Sequence, residues 1–347
     1  MTPNPPHTQL LIATVAALLF SGCSKPPAVP RTVPPVPSTA VTTEIVRLDG
    51  ALDAVIAPNT KPERVATGFQ FNEGPMWHEG RLWFSDLVGN KMYAVGPDGK
   101  AELLIDHAGG LQNPPIGSYS GSNAMVSDKD GSVLMMQHGL RRIVRLDSHL
   151  AIHPFLDKFE GKRLNSPNDL VFASDGALWF TDPPFGLPKQ NTDPAKELSF
   201  NGVFRYSNGK LTAAIRDLPL PNGIAFSPDG KTLYVSNSGP QMFVMQYKVG
   251  AQGTLSAGTK LIEYPDGPTG SVPDGLKVDS SGNIWTSGPG GMRIVAPSGK
   301  VLCQIKLPET AANLAWGDDG KTAYITASTS IYRVRMLISG DLPLYRH

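Results

Sequence analysis

Six oxygen-bearing residues recur at one place in a repeated pattern: Glu73, Asn123, Asn168, Asn222, Asp274 and Asn313. Each opens an alternating apolar stretch that runs into a turn and then into a second stretch rich in aromatic and β-branched residues. Asn222 shows it most plainly, leading through Ile224-Ala225-Phe226 and the turn Pro228-Asp229-Gly230-Lys231 to Leu233-Tyr234-Val235. One Asn or Asp in such a place is ordinary loop capping. Six of them, two carboxylates among them, point to a polar site the size of a metal ion. Carboxylates and carboxamide carbonyls are hard donors that suit Ca²⁺ or Mg²⁺ better than zinc. Glu73, Asn222 and Asp274 are the candidate ligands, their two negative charges balancing a divalent ion. Asn168 completes the ring as a fourth ligand or as a donor to substrate. A set without His or Cys argues against the usual zinc centre. Ca²⁺ is the expected ion, with Mg²⁺, Mn²⁺ and Zn²⁺ as alternatives.

Such residues meet only if the elements behind them repeat in space. The openers are spaced 50, 45, 54, 52 and 39 residues apart. Periods of this size with all-strand patterning mean propeller blades, because one four-stranded unit cannot bury its own apolar face. The expected fold is an all-β, six-bladed β-propeller, its openers converging on one end of the central pore. A strand at about 62–68 should complete the last blade beside Ser330 to Arg335, with 44–58 flanking the ring. Insertions at 106–121 and 183–200 are long enough to be functional rims, and Phe185 could stand over the pore mouth. Trp77, Trp83, Trp179, Trp285 and Trp316 fall at blade-equivalent places and read as packing between blades. His138 ends the inner hairpin of the second blade, either at the pore mouth or hydrogen-bonded between blades. His78, His107 and His153 read as surface or packing residues.

Composition narrows the function. The chain of 347 residues has a net charge of +1 and no basic run, which excludes a nucleic-acid partner. With 36 Gly and 32 Pro, turns dominate and long helices are not expected. No Gly-X-Ser-X-Gly elbow, P-loop or dinucleotide fingerprint is present. Leu10 to Phe20 is too short to span a bilayer but suits a signal-peptide core. It ends in Leu19-Phe20-Ser21-Gly22-Cys23-Ser24, which resembles a bacterial lipoprotein cleavage box. Phe20 departs from the usual Leu, and Met1 to Gln9 carries no Lys or Arg. The expected organisation is therefore a lipoprotein-type signal peptide at 1–22, a Pro-rich linker from a lipidated Cys23 at 23–43, and the propeller at 44–347. That places a monomer in the cell envelope, facing the periplasm from the outer rather than the inner membrane and touching it only through its anchor. Cys303 then has no disulfide partner and reads as a buried structural thiol.

Four stretches carry a resemblance: Glu73-Gly74-Pro75-Met76-Trp77, Arg163 through Asn168-Asp169, Leu220-Pro221-Asn222-Gly223 and Val272-Pro273-Asp274-Gly275. Together they resemble the signatures of the gluconolactonase and senescence-marker-protein (regucalcin) family. Gln137-His138-Gly139-Leu140-Arg141-Arg142 and Phe180-Thr181-Asp182-Pro183-Pro184-Phe185-Gly186 are similar to its bacterial gluconolactonase branch. The match runs from 62 to 337. It implies a six-bladed propeller with one divalent cation, with Glu73, Asn222 and Asp274 as ligands. Asn168 would bind substrate or a metal-bound water, and Arg163 and His138 are candidate substrate contacts. Ser122-Asn123-Ala124 departs where Asn-Gly is common, so Asn123 receives no role.

The implied activity is metal-assisted hydrolysis of a sugar-type lactone. The cation polarises the ring carbonyl, and Asp274, as the catalytic base, takes a proton from the attacking water. Two alternatives stay open: a phosphotriesterase of similar fold, and a metal-stabilised envelope module that binds without turnover.

Overall fold

Pro228-Asp229-Gly230-Lys231 reverses the chain so that Pro221–Phe226 pairs with Thr232–Asn237, Gly230 taking the left-handed φ of +67° that the turn needs. Repeats of that hairpin build six antiparallel sheets. The computed structural model describes Met1, residues 42–264 and residues 271–345. The innermost strands are Asn72–His78, Ser122–Ser127, Leu170–Phe172, Pro221–Phe226, Leu276–Val278 and Ala311–Gly317. Five of these six have four strands and one has five, beside a separate two-stranded pair of Lys158–Phe159 with Lys162–Arg163; this is the all-β, six-bladed propeller expected from the repeat. Val41–His347 forms one compact unit.

The ring closes where the sequence placed it. Glu63–Thr67 pairs antiparallel with Ser330–Arg335, so an N-terminal strand finishes the blade that the C-terminal strands begin. The flanking segment also finds its place: Glu44–Arg47 pairs with Val301–Lys306 as the fifth strand of the fifth blade. Leu52, Val55 and Ile56 then bury against that blade and the sixth.

Aromatic wedges hold neighbouring blades together. Trp83 packs with Met125, Met135 and Val144 of the second blade. Trp179 meets Ile224 and Val235 of the fourth, and Trp285 meets Leu314 and Ile325 of the sixth. Trp77 stacks on Tyr324 at 5.3 Å across the ring closure. Each buried indole contributes on the order of 3 kcal/mol. Cys303 is a free, buried thiol whose burial pushes its pKa up to about 12, which removes it as a nucleophile.

Acidic and amide residues at the ends of the second strands anchor the loops that lead into the openers. Asp86 accepts from the backbone N–H groups of Gln70, Phe71 and Gly89. Asp182 accepts from those of Asn165 and Ser166, and Asn237 from that of Leu220. At the far end of the pore, residues 341–345 cover a small cavity lined by Met76, Met125, Phe226 and Trp316. Tyr345 lies edge-on to Phe172 at 4.9 Å there. No helix among the described residues is long and apolar enough to cross a membrane. The leader, Cys23 and most of the linker, at 2–41, lie outside the described residues.

Candidate active site

The strand ladder breaks at the openers, and that break aims their side chains. Register shifts lie between Glu73 and Met76, Ser122 and Met125, Pro221 and Ile224, and Ala311 and Asn313. In the third and fifth blades the ladder starts only after the opener, at Leu170 and Leu276. Such irregularities re-aim a side chain out of the sheet pattern. Here they turn all six into the pore.

Hydrogen bonds join several neighbouring openers. Asn123 Nδ2 donates to Asn168 Oδ1 at 2.7 Å, and Asn168 Nδ2 donates to Asn222 Oδ1 at 2.5 Å. Asn222 Nδ2 donates to Ser238 Oγ at 2.9 Å, and Ser238 Oγ donates to the carbonyl of Pro273, next to Asp274, at 2.6 Å. The N–H of Gly223 reaches the Asp274 carbonyl at 3.1 Å, and that of Gly275 reaches the Ala312 carbonyl at 2.8 Å. Asn313 Nδ2 donates to Glu73 Oε2 at 3.1 Å, which ties the sixth blade to the first.

The glycines after the openers follow from this closeness. A Cβ on Gly223 would stand 2.5 Å from the Asp274 carbonyl oxygen, and one on Gly74, where φ is +56°, would stand 2.4 Å from that of Asn123. After Asn123 the chain has Ala124, a side chain with a Cβ, which donates its N–H to the Asn168 carbonyl at 3.2 Å as Gly223 donates to that of Asp274. The second blade departs from the Asn-Gly pattern and still contributes its opener to the ring.

A cavity of about 350 Å³ opens above the ring. Glu73, Asn123, His138, Asn168, Asn222 and Asp274 form its polar floor. The insertions supply the wall, Tyr119 from the first and Phe185 and Gln190 from the second. Tyr119 also lies edge-on to Phe71 at 5.4 Å. His138 is buried with both ring nitrogens committed: Nδ1 donates to the Tyr119 carbonyl at 3.1 Å, and Nε2 accepts from Asn123 at 3.3 Å, the tautomer these partners require. Burial pushes its pKa down to about 4, so the imidazole is neutral. Arg163 is not among the lining residues; its guanidinium donates to the Leu140 carbonyl at 2.9 Å.

Arg141 is the residue of this neighbourhood whose part the sequence did not disclose. Its Nε donates to the carbonyls of Leu164 and Asn165, and its Nη1 to that of Ala195. The Gln137 amide donates to the Ala108 carbonyl at 2.7 Å. The stretch from Gln137 to Arg142 therefore holds both insertions against the pore mouth.

The donor set fits a cation. Glu73 Oε1 and Asn123 Oδ1 are buried oxygens with no hydrogen-bond partner, a state that is costly unless something positive meets them. Among the described residues no three His, Cys, Asp or Glu side chains group as a metal cluster; the ring instead combines two carboxylates with amides. Burial pushes Glu73 up to about 7, with Asp169 adding to the rise. Burial, and then the facing Glu73 carboxylate, push Asp274 well above the ordinary range.

A pH dependence follows. With the carboxyl pKa values raised, the ion-free folded protein binds more protons than the unfolded chain between the ordinary carboxylate range and about pH 7. Its stability falls as pH rises through that window, by on the order of 3 kcal/mol for Glu73. Asp182 and Asp341, raised by burial to about 7 and about 6, slope the same way with or without an ion. Melting curves should thus show a larger gain from added Ca²⁺ at pH 7.5 than at pH 5. Equal gains would mean that the ring carboxylates do not meet the ion.

Relatives share this architecture. The family described as the SMP-30/Gluconolactonase/LRE-like region matches residues 71–329. The chain belongs to that family. It is 36% identical over 307 residues to a gluconolactonase of Zymomonas mobilis subsp. mobilis, covering 84% of this chain and 86% of that protein. Among solved structures, a gluconolactonase from Xanthomonas campestris superposes with a TM-score of 0.75 at 31% identity, over 86% of this chain and 95% of that one. A regucalcin from Agrobacterium tumefaciens, described as calcium-binding, shares the fold at a TM-score of 0.61 and 16% identity, over 81% and 98%. In this member of the SMP-30/gluconolactonase family, Glu73, Asn168, Asn222 and Asp274 meet in one ring, with His138 at its edge and Arg163 outside it.

Proposed function

We infer that this gluconolactonase-like enzyme hydrolyses a sugar-type lactone with a divalent cation held in the pore by Glu73, Asn168, Asn222 and Asp274. The observation that carries the reading is the ring itself: two facing carboxyls and two linked carboxamides at the floor of an open cavity. The calcium-binding regucalcin of the same fold favours Ca²⁺. Bound there, the ion would supply Lewis-acid polarisation of the lactone carbonyl and charge for the developing oxyanion.

The chain's own residues do the rest. Asp274 takes a proton from the water that attacks the carbonyl carbon. As the ring C–O bond breaks, that proton passes to the leaving oxygen, and the product is the open hydroxy acid. His138 takes no part in proton transfer; its Nδ1–H is spent on Tyr119, and Nε2 holds the Asn123 amide. Tyr119 and Phe185 offer apolar faces to the C–H groups of a sugar ring, and the exposed amide of Gln190 suits its hydroxyls. The envelope placement read from the leader belongs to the same proposal; Cys23→Ser should release the protein from membranes.

The test is turnover on a panel of glucono-, galactono- and xylono-lactones beside a fluorophosphate, with Ca²⁺ present. Lactone hydrolysis far above fluorophosphate hydrolysis is the expected result. The reverse order would make the protein a phosphotriesterase, and no turnover on either would make it a binding module.

A further inference from the structure

Below the ring lies a charged pair that the hydrolysis does not use. Lys277 sits three residues past Asp274, on the inner strand Leu276–Val278. Its Nζ is 3.2 Å from Asp169 Oδ2 and donates to the carbonyl of Leu276 at 3.1 Å and to Asn313 Oδ1 at 3.4 Å. Asp169 follows Asn168 directly and is buried. Asn313 also accepts from the N–H of Leu314 and donates to Glu73. Asp169 and Asn313 are thus each one step from a ring ligand, and Leu276 is two residues from Asp274.

The charges in this column can be counted. Glu73, Asp169 and Asp274 are three carboxyl groups within electrostatic reach of one another. Lys277 is the cation paired with them. A divalent ion plus one ammonium balances three carboxylates; without the ammonium the column would call for a trivalent ion. Buried charge without a counter-charge is strongly disfavoured, so this balance bears on which ion the pore accepts.

We propose that Lys277 sets the charge of the pore and thereby its preference for a divalent ion, neutralising Asp169 beneath the ring. The proposal rests on the cation reading above. Removing one positive charge several ångströms away strengthens binding in proportion to the ion's charge, so a trivalent ion gains more than a divalent one.

The test is binding rather than turnover: Ca²⁺ and Tb³⁺ titrated into metal-stripped full-length protein. Lys277→Met should raise the ratio of Tb³⁺ to Ca²⁺ affinity by about tenfold, without weakening Ca²⁺. Lys277→Met combined with Asp169→Asn restores the balance and should return the ratio to its wild-type value. Asp169→Asn alone leaves a surplus ammonium and should lower the ratio, a readout that holds even if Lys277→Met fails to fold. A merely structural Lys277 would weaken both ions together and leave the ratio unchanged, which overturns the proposal. Wild-type protein that binds neither ion would overturn the cation reading itself and this proposal with it.

Discussion

Asp274→Asn should lower kcat for lactone hydrolysis by at least about 10³-fold, because one change removes the base that deprotonates water and a charged ligand of the ion. The fold should survive. The Asp274 backbone carbonyl, which accepts from Gly223, is untouched, and a neutral amide suits a place where burial already disfavours the charged carboxylate. The loss should therefore lie in kcat, with a melting temperature for the ion-free variant at or above that of the wild type. Folded variant protein with full turnover would assign the proton transfer to another group.

Glu73→Gln should act first on the ion. It removes one of the two negative charges in the ring and leaves an amide where Oε1 lacked a partner, so divalent-ion affinity should fall by about 10²-fold or more. At neutral pH without the ion, the same variant should be more stable than the wild type, since one carboxyl of a buried, mutually repelling pair is gone. Opposite effects on ion binding and on ion-free stability are what a metal ligand shows and a packing residue does not. Calorimetric Ca²⁺ titrations and melts of the metal-stripped proteins read both. Loss of stability with unchanged ion affinity would make Glu73 structural.

The repeat was legible in the sequence because each blade repeats one grammar, an opener, an alternating strand, a glycine-containing turn and an aromatic strand. That grammar located the six inner strands, the closing strand Glu63–Thr67 and the ring from Glu73 to Asn313. It could not place Glu44–Arg47, whose pairing with Val301–Lys306 is a contact far along the chain with no periodic signal. Asp86 and Asp182 closed their hairpins in the pattern, yet their hydrogen bonds to incoming backbone follow from tertiary geometry alone.

The departures from the expected site have the same origin. Asn123 drew no role because Ala124 broke the Asn-Gly motif, but Gly is needed only where the next blade crowds the position, as at Gly74 and Gly223. Arg163 suggested a substrate contact, whereas its guanidinium reaches the Leu140 carbonyl. Tyr119 and Gln190 reach the cavity from aperiodic insertions, whose lengths are plain from the spacing of the repeats but whose directions are not. Lys277 and Asp169 lie 108 residues apart, and only ring closure brings them together.

The most direct measurement of the central claim is lactone hydrolysis by metal-stripped protein as Ca²⁺ is returned. Turnover should be negligible without the ion and should rise in step with occupancy of one site per chain. Undiminished turnover in the stripped protein, or a filled site with no turnover on any lactone, would contradict it.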